Sequence, residues 1–231
     1  GDHAANLRLC GRLCEQAAAA GARLLCLPEC FSFIGVKAEE TLAQAEPLAG
    51  PRMAEFQALA RAHDLWLSLG GFHEAAETDA ADGAVRRVHN AHVVVSAAGE
   101  ITDVYRKVHL FDVAIPGGAV LQESRTTAPG AAAVVADCAG LGLRLGLTTC
   151  YDVRFPELYT ELARRGADLI LVPSAFTVPT GRAHWELLLR ARAVETQCYV
   201  AAAAQVGRHN ERRASWGQVT RTRCPKPHPK P

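Results

Sequence analysis

The chain has 231 residues, of which 49% are hydrophobic and 21% charged, and a formal net charge of +1. That length and composition suit one globular domain with a sizeable core. The near-neutral balance gives no electrostatic reason to expect nucleic acid or an anionic membrane as a partner, and no apolar run approaches the roughly 20 residues of a membrane span.

Residues 4–20 place Leu9, Leu13, Ala17 and Ala20 on one helical face and stop at Gly21. Leu24, Leu25, Cys26 and Leu27 then read as a central strand buried on both faces. Pro28 stops it, so Glu29 falls just beyond the carboxyl end, where open α/β sheets hold their ligands. Residues 51–63 form a second helix around Met53, Phe56, Leu59 and Ala60, and residues 65–69 a second apolar strand ending at Gly70 and Gly71. Residues 78–85 are small and polar, a surface loop. Residues 91–96 and 101–106 form a hairpin, which makes the sheet mixed, and its second strand closes at Tyr105, Arg106 and Lys107.

Residues 109–127 have no periodicity, contain Pro116, Gly117 and Gly118, and read as a long functional loop. Residues 133–137 and 143–149 make another hairpin, in which Leu143, Leu145 and Leu147 alternate with Arg144, Gly146 and Thr148. A helix follows with Pro156 at its first position, Leu158, Leu162 and Ala163 on its apolar stripe and Gly166 as its stop. Cys150 thus lies in a strand-to-helix turn, whose N–H groups and helix dipole favour a thiolate over a thiol. Residues 168–172 are a buried strand, residues 182–196 a helix with Leu187, Leu188, Ala191 and Val194 inward, and residues 199–204 the last clear strand. Beyond Val206 the pattern decays, and residues 218–231 read as a disordered tail of proline and basic residues behind a domain of residues 1–217.

The eight cysteines do not make a disulfide scaffold in a chain of this length, which fits a reduced, cytoplasmic setting, with the mitochondrion as a second compartment. Cys10 with Cys14 and Cys26 with Cys30 are spaced C-x3-C without a matching histidine pair downstream, so no metal site is expected.

A carboxylate at Glu29, an ammonium at Lys107 and a thiol at Cys150 therefore stand at three strand ends. The local sequences are Leu27-Pro28-Glu29, Tyr105-Arg106-Lys107-Val108-His109-Leu110 and Thr149-Cys150-Tyr151-Asp152-Val153-Arg154-Phe155-Pro156-Glu157. In this order they resemble the nitrilase superfamily of carbon–nitrogen hydrolases, whose second glutamate matches Glu123 in Leu121-Gln122-Glu123-Ser124. Residues 65–74, 173–176 and 183–199 are similar, within that family, to the amidases that act on deaminated glutathione. The likeness covers residues 7–217.

The resemblance implies an α/β fold, an α-β-β-α sandwich with a mixed sheet. The family's domain has a strand before the first helix here and further strands after residues 214–217, so the sandwich is expected to be incomplete at both ends. The resemblance also implies cofactor-free amide hydrolysis through a cysteine thioester. In that scheme Glu29 takes the Cys150 proton, returns it to the leaving nitrogen and then activates water, while Lys107 and the backbone N–H of Tyr151 hold the oxyanion and Glu123 orients Lys107. Arg154 is either a clamp for a substrate carboxylate or the partner of Asp152 or Glu157 in an ion pair. Phe176 and Thr180 line the pocket or serve packing and turn chemistry.

The implied partner is a small-molecule amide: deaminated glutathione, split into 2-oxoglutarate and cysteinylglycine, or another α-keto acid amide of the kind an omega-amidase takes. Homo-oligomers are implied through the helices after Cys150. Two readings compete, a cysteine–histidine hydrolase with His109 or His184 as base, and an inactive nitrilase-like chain that binds a partner.

Overall fold

The computed structural model describes residues 2–78, 85–114, 120–218 and 220–222. Helix α1 (His3–Ala19) leads to strand β1 (Leu24–Leu27), helices α2 (Ala38–Ala43) and α3 (Pro51–His63), and strands β2 (Trp66–Thr78), β3 (Val85–Val95) and β4 (Ile101–Arg106). A ribbon of β5 (Asp112–Ala114) and β6 (Val120–Gln122) precedes β7 (Val134–Cys138), β8 (Leu143–Leu147), α4 (Pro156–Arg164) and β9 (Leu169–Leu171). The chain continues through β10 (Phe176–Thr177), α5 (Val178–Thr196), β11 (Tyr199–Ala202), β12 (Gly207–Arg208), β13 (Ala214–Trp216) and β14 (Thr220–Thr222).

Two sheets, β1-β2-β3-β4 and β14-β11-β9-β8-β7, carry the fold. In the first, β1 and β2 are parallel and the rest antiparallel. In the second, β9 runs parallel to both β8 and β11 between antiparallel outer strands. Strand alternation sorts the side chains. Leu25, Leu27, Leu67, Leu69, Val93 and Val95 pack with Cys10, Cys14, Met53, Phe56 and Ala60 of α1 and α3. The alternate residues Leu24, Cys26, Trp66, Val94 and Tyr105 join the second cluster with Leu145 and Leu147. Gly146 and Ile170 face the other way, toward Leu162 of α4. The result is the expected α-β-β-α sandwich with mixed sheets. Among the described residues no helix is long and apolar enough to cross a membrane.

Several expectations are corrected. Leu9 is 46% exposed, and α1 instead buries Cys10 and Cys14, with Leu13 and Ala17 beside them and Ala20 outside. The inward face is centred on Cys10 and Cys14, with Leu7, Leu13, Ala17 and Ala18 packed beside them against the α3 cluster, which turns Leu9 to the outside. Among the described residues β1 pairs with β2 alone, so it is an outer rather than a central strand. β2 runs on past Gly70 and Gly71 because the register shifts there, a bulge that Gly71 accommodates at φ +81°. The expected loop at residues 109–127 contains β5, β6 and a 3-10 turn, Glu123–Arg125. Its Pro116, Gly117 and Gly118, and most of the expected loop at 78–85, lie outside the described residues.

On α5 the buried residues are Gly181, Trp185, Leu189, Arg192 and Ala193, with Leu188 packed beside them, while Leu187 and Val194 are exposed. An arginine occupies a core position there: Arg192 donates to Val153 O at 2.9 Å and lies over the Tyr159 ring, which breaks the apolar count used to choose the face. At the end of the domain, Thr220–Thr222 pair antiparallel with Val200, Ala201 and Ala202. These three residues therefore form an edge strand instead of belonging to a disordered tail, because β11 presents an open edge that a short polar segment can satisfy. Residues 223–231 lie outside the described residues.

A polar contact joins the two sheets. His92 Nδ1 lies 2.9 Å from Thr148 O, and its Nε2 lies 2.7 Å from Ser68 Oγ. A carbonyl only accepts, so Nδ1 carries the proton and Nε2 accepts from the serine. Burial pushes His92 down to about 4, against weaker upward pulls from its Thr148 bond and Asp152. Burial likewise pushes His73 down to about 4. Folded-state values below the unfolded value of about 6.5 mean that the unfolded chain binds more protons between those limits, so stability is greatest above pH 6.5 and falls as the pH drops toward 4. Thermal unfolding between pH 7 and 4.5 is expected to show this loss, at up to about 1.4 kcal/mol per pH unit for each histidine, and His92→Gln is expected to remove one of the two contributions.

Candidate active site

Four loops deliver the polar groups. Glu29, 5% exposed, stands in the turn that Pro28 forces after β1. Lys107, 2% exposed, directly follows β4 and stays tied to β3 through its N–H, which donates to Asn90 O at 3.0 Å. Glu123 opens the 3-10 turn after β6. Cys150 opens a second 3-10 turn, Cys150–Arg154, and its N–H donates to Pro173 O at 2.8 Å. Its φ of +51° is rare for a residue with a side chain and costs about 1–3 kcal/mol, strain that packing must hold.

These groups meet. Lys107 Nζ donates to Glu29 Oε1 at 3.1 Å and to Glu123 Oε2 at 2.9 Å and Oε1 at 3.2 Å. Asn90 Nδ2 donates to Glu29 Oε1 at 2.9 Å and to Glu123 Oε1 at 3.3 Å. Phe111 N donates to Glu123 Oε2 at 2.7 Å, so the start of the β5–β6 ribbon is fastened to the same carboxylate. Cys150 stands near enough to Glu29, Lys107 and the backbone of Ala175 for all three to act on its sulfur.

The electrostatics reverse one expectation. Burial, then the Glu29 carboxylate, push the Cys150 thiol well above its ordinary value, and Lys107 offsets this only in part. The resting sulfur is a thiol rather than the thiolate expected from its turn, because it faces a carboxylate in a dry site. Lys107 shows the opposite balance. Burial opposes its charge, but the Glu123 and Glu29 carboxylates outweigh burial and hold it protonated well above the usual lysine range.

Of the proposed substrate contacts, Tyr151, Arg154 and Phe176 cluster. The Arg154 guanidinium lies 5.8 Å from the Tyr151 ring centre and 5.9 Å from that of Phe176, and its Nη2 is 3.2 Å from His184 Nδ1. Among the described residues no carboxylate forms an ion pair with Arg154; Asp152 is engaged elsewhere. Phe176 also packs against Trp185 with ring centres 5.1 Å apart. Thr180 is taken up locally, its Oγ1 2.7 Å from Thr177 Oγ1 and 3.2 Å from Thr177 O, which is turn chemistry at the start of α5. His109 and His184 do not act on Cys150. His109 Nδ1 bonds Asp152 at 2.7 Å and its ring stacks on Phe155, while His184 faces Arg154. Among the described residues no three His, Cys, Asp or Glu side chains converge to hold a metal ion.

The sequence reading missed two residues. Asn90 holds both glutamates, but a polar residue inside a strand carries no outward sign of that. Asp152, fully buried, accepts from Tyr105 Oη at 2.7 Å, Thr149 N at 2.8 Å and His109 N at 3.1 Å, so it ties the Cys150 turn to the Lys107 segment. Its position two residues after the cysteine was a usable signal, since an acid in the first helical turn caps N–H groups.

Comparison with known proteins places this arrangement. Residues 1–219 match the carbon–nitrogen hydrolase family. The chain is 49% identical over 218 residues to a human deaminated glutathione amidase, covering 94% of this chain and 65% of that protein's length. It superposes on the crystal structure of the Caenorhabditis elegans NitFhit protein with a TM-score of 0.85 and 41% identity, covering 96% of this chain and 52% of that one. An amidase from Nesterenkonia sp., solved with the acetamide moiety of fluoroacetamide added covalently at its active site cysteine, matches with a TM-score of 0.72 and 29% identity over 90% of this chain and 72% of its own. The chain thus spans just under two thirds of the human relative.

A raised thiol beside a carboxylate makes a prediction about reactivity. Iodoacetamide capture of Cys150, read peptide by peptide in a mass spectrometer, is expected to proceed at neutral pH through Glu29 as base. In Glu29→Gln the neutral-pH rate should fall by about 10²–10⁴-fold, the usual worth of general-base assistance, leaving only a slow component that grows with hydroxide.

Proposed function

The chain belongs to the carbon–nitrogen hydrolase family, and on that premise we propose that it is an amidase acting through a Cys150 thioester on deaminated glutathione. The observation that carries this reading is the buried Lys107 ammonium, 3.1 Å from Glu29 and 2.9 Å from Glu123, with the Cys150 thiol within the influence of Glu29 and Lys107. Glu29 accepts the Cys150 proton as the sulfur attacks the amide carbon. The carbonyl oxygen becomes an oxyanion, held by Lys107 and the N–H of Tyr151. Collapse breaks the C–N bond, and Glu29 returns the proton to the departing amine of cysteinylglycine. Water then gives a proton to Glu29 and its oxygen attacks the thioester, releasing 2-oxoglutarate and restoring the thiol.

Arg154 is placed to take a substrate carboxylate. Its guanidinium is flanked by two aromatic rings and has no carboxylate partner among the described residues, so an incoming acid meets a fork of N–H donors of which Nη2 also faces His184. The same contacts fit simpler α-keto acid amides, the omega-amidase alternative, in which the departing amine is ammonia. Assembly of copies through the face of α5 belongs to the same reading, supported by exposed Leu187 and Val194. A cytoplasmic location, with the mitochondrion second, is supported by the mechanism's need for a reduced thiol.

The test is formation of 2-oxoglutarate from deaminated glutathione, with ammonia release from a simple α-keto acid amide as the second arm. Cys150→Ala is expected to abolish both, and Lys107→Ala to lower kcat by about 10²–10³-fold. Arg154→Ala is expected to raise KM more than it lowers kcat. Turnover that survives Cys150→Ala overturns the proposal.

A further inference from the structure

We infer that Asn90 is a positioning residue that dedicates one oxygen of Glu29 to the electrostatic cluster and leaves the other to receive the Cys150 proton. The inference rests on the roles proposed above for Glu29 and Cys150 and adds a division of labour within the carboxylate. Asn90 lies inside β3, 6% exposed. Its Nδ2 donates to Glu29 Oε1 at 2.9 Å, and Lys107 Nζ donates to the same oxygen at 3.1 Å. Oε1 therefore accepts two strong donors, and no N–H among the described residues donates to Oε2, the oxygen assigned to the thiol.

The orientation of the Asn90 amide is settled by its neighbours. Both groups facing Nδ2 are carboxylates, Glu29 and Glu123, so a flipped amide would aim oxygen at two anions. The opposite atom, Oδ1, is buried and has no hydrogen-bond partner among the described residues. A buried acceptor left unmet is a cost, so the amide is oriented by its N–H groups. Gly71 makes the approach possible. At its φ of +81° an added Cβ would stand 2.8 Å from Asn90 Oδ1 and 3.0 Å from Glu29 Cγ, so the β2 bulge and the absence of a side chain let the asparagine lie against the glutamate.

Other charges also face Glu29. Lys107 follows β4, Glu123 follows β6 and Cys150 follows β8. Cys30 is the next residue, with its Sγ 3.8 Å from His73 Nε2 on β2, and Arg213 before β13 acts on both Cys30 and His73. Asn90 is the neutral donor in this set, so exchanging it for alanine takes a hydrogen bond from Glu29 without removing a charge from the site.

The experiment is the pH dependence of Cys150 alkylation by iodoacetamide in the native chain, Asn90→Ala and Asn90→Asp. Loss of a donor, and more so its replacement by an acid, is expected to move the acid limb of the alkylation rate upward, by about one pH unit in Asn90→Asp. A limb that stays in place while only the rate falls overturns the inference. If neither variant folds, the native protein decides: the Asn90 side-chain amide proton resonances should shift as that same limb is crossed, and resonances that do not move overturn it. Alkylation needs no substrate, so a shifted limb in a chain that hydrolyses no amide supports the role of Asn90 while rejecting the proposed activity, and hydrolysis with an unmoved limb does the reverse.

Discussion

One buried ammonium organises this molecule. Lys107 is 2% exposed, and a lysine taken out of water is tolerated only where anions replace its hydration. Glu29 and Glu123 supply them from chain positions far apart, one after the first strand and the other after the β5–β6 ribbon. Removing one partner of such a buried cluster typically costs about 3–5 kcal/mol because it leaves a charge without compensation. The loops after β1, β4 and β6 are thus held to one geometry by electrostatics rather than by apolar packing.

The scaffold brings the fourth loop to the same place by a different device. Asp152 accepts from Thr149 beside the cysteine and from Tyr105 and His109 on either side of the lysine. Tyr105 Oη in turn accepts from Val108 N at 3.1 Å. A single fully buried carboxylate therefore sets the separation of thiol and ammonium, and the His92 bridge from Ser68 to Thr148 fixes the sheets two residues before the cysteine. The left-handed backbone of Cys150 is held between these contacts and the bond from its own N–H to Pro173 O.

Much of this was legible in the chain because strand ends are. Alternation to Leu147, the stop at Pro28 and the close of the hairpin at Arg106 place Cys150, Glu29 and Lys107 on loops, and their local motifs indicate one family. What stayed hidden depends on the third dimension. Asn90 falls just before the strand expected at residues 91–96 and gives no sign of its role, since its partners are 61 and 33 positions away. The inward faces of α1 and α5 are legible only in part: Leu13, Ala17 and Leu188 do pack on the core, but its centre is Cys10 and Cys14 in α1, and in α5 Arg192 is buried because it finds Val153 O and Tyr159. The strand at Thr220–Thr222 has no apolar pattern of its own, and the open edge of β11 creates it.

The protonation of the site decides what kind of nucleophile it holds. A cysteine paired with a histidine rests as a thiolate beside a cation, so its charge is formed before substrate arrives. Here burial and Glu29 oppose that charge more strongly than Lys107 favours it, and the sulfur keeps its proton. In the proposed mechanism charge on sulfur then forms together with attack, while the proton passes to the neighbouring Glu29 carboxylate. On the same proposal Lys107, which does not offset burial and Glu29 enough to ionise the resting thiol, acts on the oxygen that becomes negative as the proton leaves. A site built this way concentrates its stabilisation on the transition state rather than on the resting enzyme, which is the condition for raising the rate of the chemical step.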